Sequence, residues 1–179
     1  MTEMITLRDA NFGDHAAISR LHAESWRQNY RGIYSNRYLD EEVFQDRTES
    51  WRAKLQDPSG NQRTTVAVGD TLILGFSCLL LDDDPLFGTL LDNLHVAQEA
   101  QRSGIGKRLL KECADRICQE GESSKMYLWV YERNENARRV YEHLGGQNVE
   151  TIEVENVDLT TARICRYCWE NVAVLTGPH

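Results

Sequence analysis

The 179-residue chain carries 41% hydrophobic and 27% charged residues, a balance that supports one buried core and leaves no segment biased enough for disorder. Its formal net charge of −8 works against nucleic acid, whose phosphates require clustered Lys and Arg, and favours a cationic partner such as an amine. Met1 to Met4 lacks the basic flank and apolar stretch of a signal peptide, and the longest apolar run, Leu72 to Leu81, is too short to span a bilayer. One cytoplasmic domain over residues 1–179, without membrane contact, is therefore expected.

Ile5 to Asp9 reads as a short strand, and Asp14 as the N-cap of a helix that runs to about Tyr30 with Ile18, Leu21, His22 and Trp26 near one face. A second helix is expected over Leu39 to Gln56, ended by Asp57-Pro58-Ser59-Gly60. Thr64 to Val68, a Gly69-Asp70 turn and Thr71 to Leu81 form a hairpin pattern, and Leu86 to Val96 a third strand after the Asp82 to Pro85 break. Ile105, Leu109, Leu110, Cys113, Ile117 and Cys118 then recur at helical spacing, which predicts an amphipathic helix from Gly104 to Gln119. Met126 to Val130 is an apolar strand, and Glu135 to Leu144 a helix stopped by Gly145-Gly146. Asn148 to Val154 and Ala162 to Trp169 are closing strands. The predicted fold is α/β (α+β): a mixed, mainly antiparallel sheet of about seven strands flanked by about four helices.

The five cysteines include Cys165 and Cys168 in a CxxC spacing. On a strand those two positions face opposite ways, and no second ligand pair completes a zinc site, so reduced thiols and no metal are expected.

Gln101-Arg102-Ser103-Gly104-Ile105-Gly106 follows the strand ending in Leu94-His95-Val96 and opens the next helix with Lys107. A dinucleotide fingerprint would need glycine where Leu109 stands. A Walker A loop would need glycine at Gln101 and a Ser or Thr at Arg108. What remains is a basic glycine turn whose converging N–H groups and helix dipole suit a pyrophosphate, or a plain helix-opening turn.

The loop resembles the Q/R-x-x-G-x-G/A loop of the GNAT superfamily of N-acetyltransferases. Two further blocks resemble the same family in the same order: Leu91-Asp92-Asn93-Leu94-His95-Val96, and Asn134 to Gly145, which matches N-x-x-A-x-x-x-Y-x-x-x-G. The resemblance is clear over residues 64–146, and the element order extends it over most of the chain. It departs at Gly146, where the family often has an aromatic residue, which predicts weaker packing at that helix end.

The resemblance implies acetyl-coenzyme A as cosubstrate. The Leu94-His95-Val96 edge would bind its pantetheine arm, the amides of Gln101, Arg102, Ser103, Gly104, Ile105, Gly106 and Lys107 its pyrophosphate, and Asn134 and Tyr141 the arm and the sulfur. The Val96 N–H is then the oxyanion donor. Tyr141 is the expected acid for the departing thiolate, although Ala137, Val140, Tyr141 and Leu144 also make an ordinary apolar helix face; Asn134 equally suits an N-cap. Strand alternation puts Asp92 on the face of Leu94 and Val96, where its carboxylate is the first candidate for the base, or else a plain strand-edge charge. His95, on the other face, is the second.

Glu24 to Tyr34 resembles the helix and loop that border the acceptor in many small members, with Trp26 and Tyr30 as walls and Glu24 as an attractor of ammonium, or with the aromatics as a core stripe. The expected function is direct transfer of an acetyl group to a primary amine, small molecule or protein, in a ternary complex. The alternative is a non-catalytic acyl-coenzyme A sensor or interaction module. A homodimer is left open, with 162–169 as candidate pairing edges.

Overall fold

The structure, a computed structural model, describes residues 5–177; the N-terminal tetrapeptide read for a targeting signal lies outside them. Seven strands are present: β1 (Ile5–Asp9), β2 (Gln62–Gly69), β3 (Leu72–Asp84), β4 (Gly88–Val96), β5 (Met126–Tyr131), β6 (Gln147–Glu155) and β7 (Thr161–Trp169). Four α-helices accompany them: α1 (His15–Asn29), α2 (Val43–Gln56), α3 (Ile105–Glu120) and α4 (Glu135–His143). The predicted order and nearly all predicted elements are present. The additions are a π-helical turn, Tyr38–Glu42, leading into α2, and three short 3-10 turns, Phe12–Asp14 ahead of α1, Gln98–Ala100 after β4 and Val172–Leu175 after β7.

One predicted cap moves. Asn11 caps a 3-10 turn ahead of α1, accepting from Gly13 N, while Asp14 makes no cap bond to α1 and instead accepts from Asn11 N and from Arg8. Asp14 thus closes a capping box one turn earlier than its spacing predicts.

The strands form one sheet in the order β1-β2-β3-β4-β5-β7-β6. Every neighbouring pair is antiparallel except β4 and β5, which run parallel. α1 and α2 cover one face through Ile18, Leu21 and Trp51 on Val66, Phe76 and Cys78. α3 covers the other through Leu110, Cys113 and Ile117 on Leu79, Leu91 and Leu128, and through Ile105 and Leu109 on Ala67. Burial of the alternate strand residues on both faces is what fixes the register.

The parallel pair holds together only at Thr89 with Met126 and Leu90 with Tyr127. Beyond that point the two strands part. The cause lies in β4: Leu79 pairs with Leu91 and Cys78 with Asn93, so Asp92 is an extra residue, a β-bulge that bends the strand and shifts its alternation. Leu91 and Leu94, three apart, therefore pack in the same cluster under α3. Among the described residues no helix is long and apolar enough to cross a membrane, and no group of three or more His, Cys, Asp or Glu could hold a metal ion.

Candidate active site

The gap between β4 and β5 opens into a cavity of about 370 Å³. Leu94, His95 and Val96 form one wall, Leu128, Trp129 and Val130 the other; α1 contributes Ser25, Asn29 and Tyr30, and α4 with its leading turn contributes Asn134, Ala137 and Tyr141. The two strand walls come from separate stretches of the chain because parallel strands cannot turn directly into one another and the connection must cross over through α3.

On the α3 side the cavity runs into an apolar groove of about 650 Å³ between α3 and α4, floored by Leu94, Val96, Leu110 and Leu144. Val140 lies on this groove and is 54% exposed, a large apolar side chain without a protein cover. Lys107 and Arg139 line it too, the latter paired with Glu135, so its border carries basic side chains within an acidic protein.

The glycine loop closes the end of the groove. Arg102 and Gly104 take left-handed backbone, φ +63 and +85, and Gly104 hands the chain to α3 without a side-chain cap. Among the described residues no acceptor meets the amides of Arg102 to Gly106, which leaves a run of donors at a helix N-terminus. Gly106 lines the groove itself, and a Cβ there would stand 3.6 Å from Val96 Cγ2, narrowing the passage along the strand edge. Open backbone donors, an apolar trough and a basic border fit a long, flexible, phosphorylated ligand.

Val96 supplies a further donor. Ala97 N bonds Leu74 O on β3, so by ladder alternation the Val96 N–H points the other way, into the gap that β5 has vacated. Leu94 N–H shares that direction.

Tyr141 lines both the cavity and the groove. Its ring packs in the core cluster, edge-on to Trp169 at 6.0 Å, and burial pushes its phenol up to about 12, so it keeps its proton through the neutral range. The ring takes the core position that the apolar helix face predicts, and the residue also borders the cavity. Asn134 likewise does two things. Its Oδ1 accepts from Ala137 N as the N-cap of α4, and the residue lines the cavity.

The expected weakness at Gly146 is absent. Trp169 of β7 occupies the space: its Cζ2 would be 2.5 Å from a Cβ at Gly146, and its Nε1 donates to Leu144 O at the end of α4. The aromatic group comes from a distant strand, and glycine is what admits it.

Asp92 departs from its predicted face. The bulge turns it away from Leu94 and Val96 toward α2, where Oδ2 accepts from Lys54 Nζ at 2.6 Å and from Asn93 Nδ2 at 2.7 Å. It lines the cavity as an ion-paired carboxylate, not as the free base that alternation predicts.

His95 shares this α1 side. Its Nδ1 is 2.9 Å from Ser25 Oγ, and its ring centre lies 4.5 Å from that of His22. Trp51 Nε1 donates to His22 Nδ1 at 2.8 Å, which fixes the His22 proton on Nε2, a buried atom without a partner. Burial pushes His95 down to about 4, against the pull of Asp92, and holds His22 well below the usual imidazole range.

Of the acceptor-side candidates, Tyr30 lines the cavity. Trp26 stands behind it, stacked on Tyr34 at 5.0 Å and under the Arg47 guanidinium at 4.4 Å. Glu24 projects elsewhere, into a separate groove with Arg20, Leu72 and Leu74, because it sits about 100° around α1 from Ser25. Sequence spacing missed Ser25, Asn29, Asn93, Trp129 and Asn136. The i, i+4 relation of Ser25 and Asn29 with Tyr30 beside them was the available signal; nothing in the sequence marks Asn93.

Residues 16–146 match the Acetyltransferase (GNAT) family. The uncharacterized N-acetyltransferase YuaI of Bacillus subtilis is 27% identical over 140 residues, covering 73% of this chain and 74% of that one. The PaiA N-acetyltransferase of Thermoplasma acidophilum, solved in complex with coenzyme A, superposes with a TM-score of 0.72 at 20% identity over 91% of this chain and 98% of its own. A mutant of the spermidine N-acetyltransferase SpeG of Vibrio cholerae gives 0.66 at 20% identity, covering 96% of each chain.

Proposed function

The chain belongs to the GNAT acetyltransferase family and is an acyltransferase, and we propose that it moves an acetyl group from acetyl-coenzyme A directly to a primary amine in a ternary complex. The observation that carries this reading is the splayed β4–β5 gap. It joins a groove suited to a phosphorylated thiol ester on one side to a polar cavity on the other.

In this reading the amides of Arg102 to Gly106 hold the pyrophosphate, with Gln101, Ser103 and Lys107 shaping and flanking the loop. Leu94 and Val96 line the strand edge along the pantetheine arm. Acetyl-coenzyme A supplies the activated carbonyl. Val96 N–H stabilises the negative charge that develops on its oxygen, a donor fixed before the reaction begins. Tyr141 gives its proton to the departing thiolate, and Asn134 orients the arm through the amide not used in capping. Asp92 and Tyr30 meet the amine on the α1 side, and the acidic surface favours its approach.

Release of free coenzyme A thiol across a panel of amines, compared between wild type and Tyr141→Phe, tests the reading. Thiol release by wild type that falls by ~10² or more in the variant, with KM for acetyl-coenzyme A little changed, is expected. An undiminished variant removes Tyr141 from the chemistry. Thermal stabilisation by acetyl-coenzyme A without release for any amine would leave a binding module.

A further inference from the structure

We infer that Ser25 and His95 form a proton relay that deprotonates the amine, with Ser25 Oγ as the atom that meets it. This rests on the acetyltransfer reading above. Both side chains line the cavity that also holds Leu94, Val96 and Tyr141, although 70 residues separate them in the sequence.

The relay needs the Ser25 hydroxyl to donate to His95 Nδ1, 2.9 Å away, with the His95 proton on Nε2. The neighbouring donor is compatible with that direction: Asn29 Nδ2 can only donate, and it bonds Ser25 O at 2.9 Å and Ser25 Oγ at 3.4 Å, which leaves the Ser25 hydroxyl proton free for His95. His95 is then a neutral acceptor at its Nδ1, and it is walled so that it stays neutral. His22 from α1 and Phe76 from β3 pack on its ring, His22 itself locked by Trp51.

The charged groups around it are Asp92 on its own strand and Arg47 and Lys54 on α2. Asp92, engaged by Lys54, is poor as a direct base, yet it is the nearby anion that favours an imidazolium at His95. This assigns Asp92 a supporting position.

The step balances without a further reactant. The neutral amine attacks the thioester carbonyl; the new C–N bond forms and the C–S bond breaks. The nitrogen gives one proton to Ser25 Oγ as Ser25 passes its own to His95 Nδ1, and Tyr141 protonates the thiolate. Solvent then returns the His95 proton to Tyr141. Ser25 is unchanged at the end and is never acetylated.

The test measures enzyme-dependent thiol release, with the uncatalysed cleavage of acetyl-coenzyme A by each amine subtracted, for wild type, Ser25→Ala, Ser25→Thr and His95→Gln, with the best primary alkylamine of the panel and with the much less basic hydroxylamine. Ser25→Ala and His95→Gln should each lower kcat for the alkylamine by ~10² while leaving KM for acetyl-coenzyme A in place. With hydroxylamine, whose attacking nitrogen loses its proton readily, the loss should stay under ~10-fold. Ser25→Thr, which keeps the hydroxyl, should recover part of the activity that Ser25→Ala loses, and the double variant should be no slower than the slower single one. The wild-type rate should fall on the acid side as His95 charges, and this limb should vanish in His95→Gln. Equal losses with both amines, additive losses, or a Ser25 acetyl adduct in the intact mass would overturn the relay. Wild type that releases no thiol with either amine overturns the acetyltransfer reading itself, and the relay with it.

Discussion

The two sides of the β4–β5 gap are built from different materials. On the α3 side the candidate groups are mostly backbone, with the Tyr141 side chain as the exception: amides of Arg102 to Gly106, the Val96 N–H, and a trough of interchangeable apolar side chains. On the α1 side they are specific side chains from three elements, Ser25, Lys54, Asp92 and His95, joined by hydrogen bonds of 2.6 and 2.9 Å. Backbone donors need only the right turn and helix start, so short local motifs specify them. Side-chain constellations need distant segments to converge, and each member can change alone. A chain can thus keep its donor half while its acceptor half is rewritten.

That difference should show in how each side fails. The largest effect belongs to the α1 side and comes from acid. Burial pushes His95 down to about 4 in the fold from the ordinary 6.5, and His22 is lowered as well, again chiefly by burial. The unfolded chain therefore binds protons that the fold refuses. Stability is undiminished above about pH 6.5 and is lost as pH falls toward the folded values, with His95 alone contributing up to about 3 kcal/mol. Urea unfolding at pH 7 and pH 4.5 should show the loss, and His95→Gln should reduce it; an equal loss in that variant would place the acid sensitivity elsewhere.

Next is Gly146→Ala, which sets a methyl against the Trp169 ring and should cost about 2 kcal/mol. Calorimetric binding should show weaker affinity for acetyl-coenzyme A as α4 shifts, and an unmoved affinity would separate the Trp169 contact from the groove.

Gly104→Ala should cost roughly 1 kcal/mol, and through backbone alone, since a Cβ there meets nothing within 4 Å while φ is +85. Its effect should be on coenzyme A binding more than on kcat, read by calorimetry beside steady-state rates.

Smallest is the Lys54–Asp92 pair, with side chains 35% and 30% exposed. A double-mutant cycle with Lys54→Met and Asp92→Asn should give a stability coupling below about 1 kcal/mol. The same changes should alter the KM for the amine and leave acetyl-coenzyme A affinity in place, and the reverse pattern would erase the division between the two sides.

The same contrast explains what the sequence made legible. Helical spacing of Ile105, Leu109, Leu110, Cys113 and Ile117 placed α3, and the glycine loop before it marked the turn with its orphan donors. The Asn134 to Gly145 block placed Tyr141 and the α4 cap. Asp92 was misplaced because strict alternation has no way to register an extra residue, and a bulge in an ordinary polar dipeptide leaves no compositional trace. Trp169 escaped notice for a related reason: its partner is an absence, the missing side chain of Gly146. His95 could be seen by itself, but Ser25 and the pair could not, since only the packing of α1 on β3 and β4 brings them together.

α4 has no fully buried residue along its nine positions; Ala137 and Tyr141 are half-buried against the core. It is tied to the sheet by Arg138 on Tyr167 and Glu132 O, by Glu142 on Tyr167, and by Trp169 on Leu144 O. A helix so short and so lightly covered is marginal by itself and depends on these ties. A ligand lying along the groove would cover Val140 and add a further tie, so part of its binding energy would go into holding the helix. In the acetyltransfer reading, an acceptor bound second would meet a wall already set, and the two substrates would be coupled in occupancy without touching.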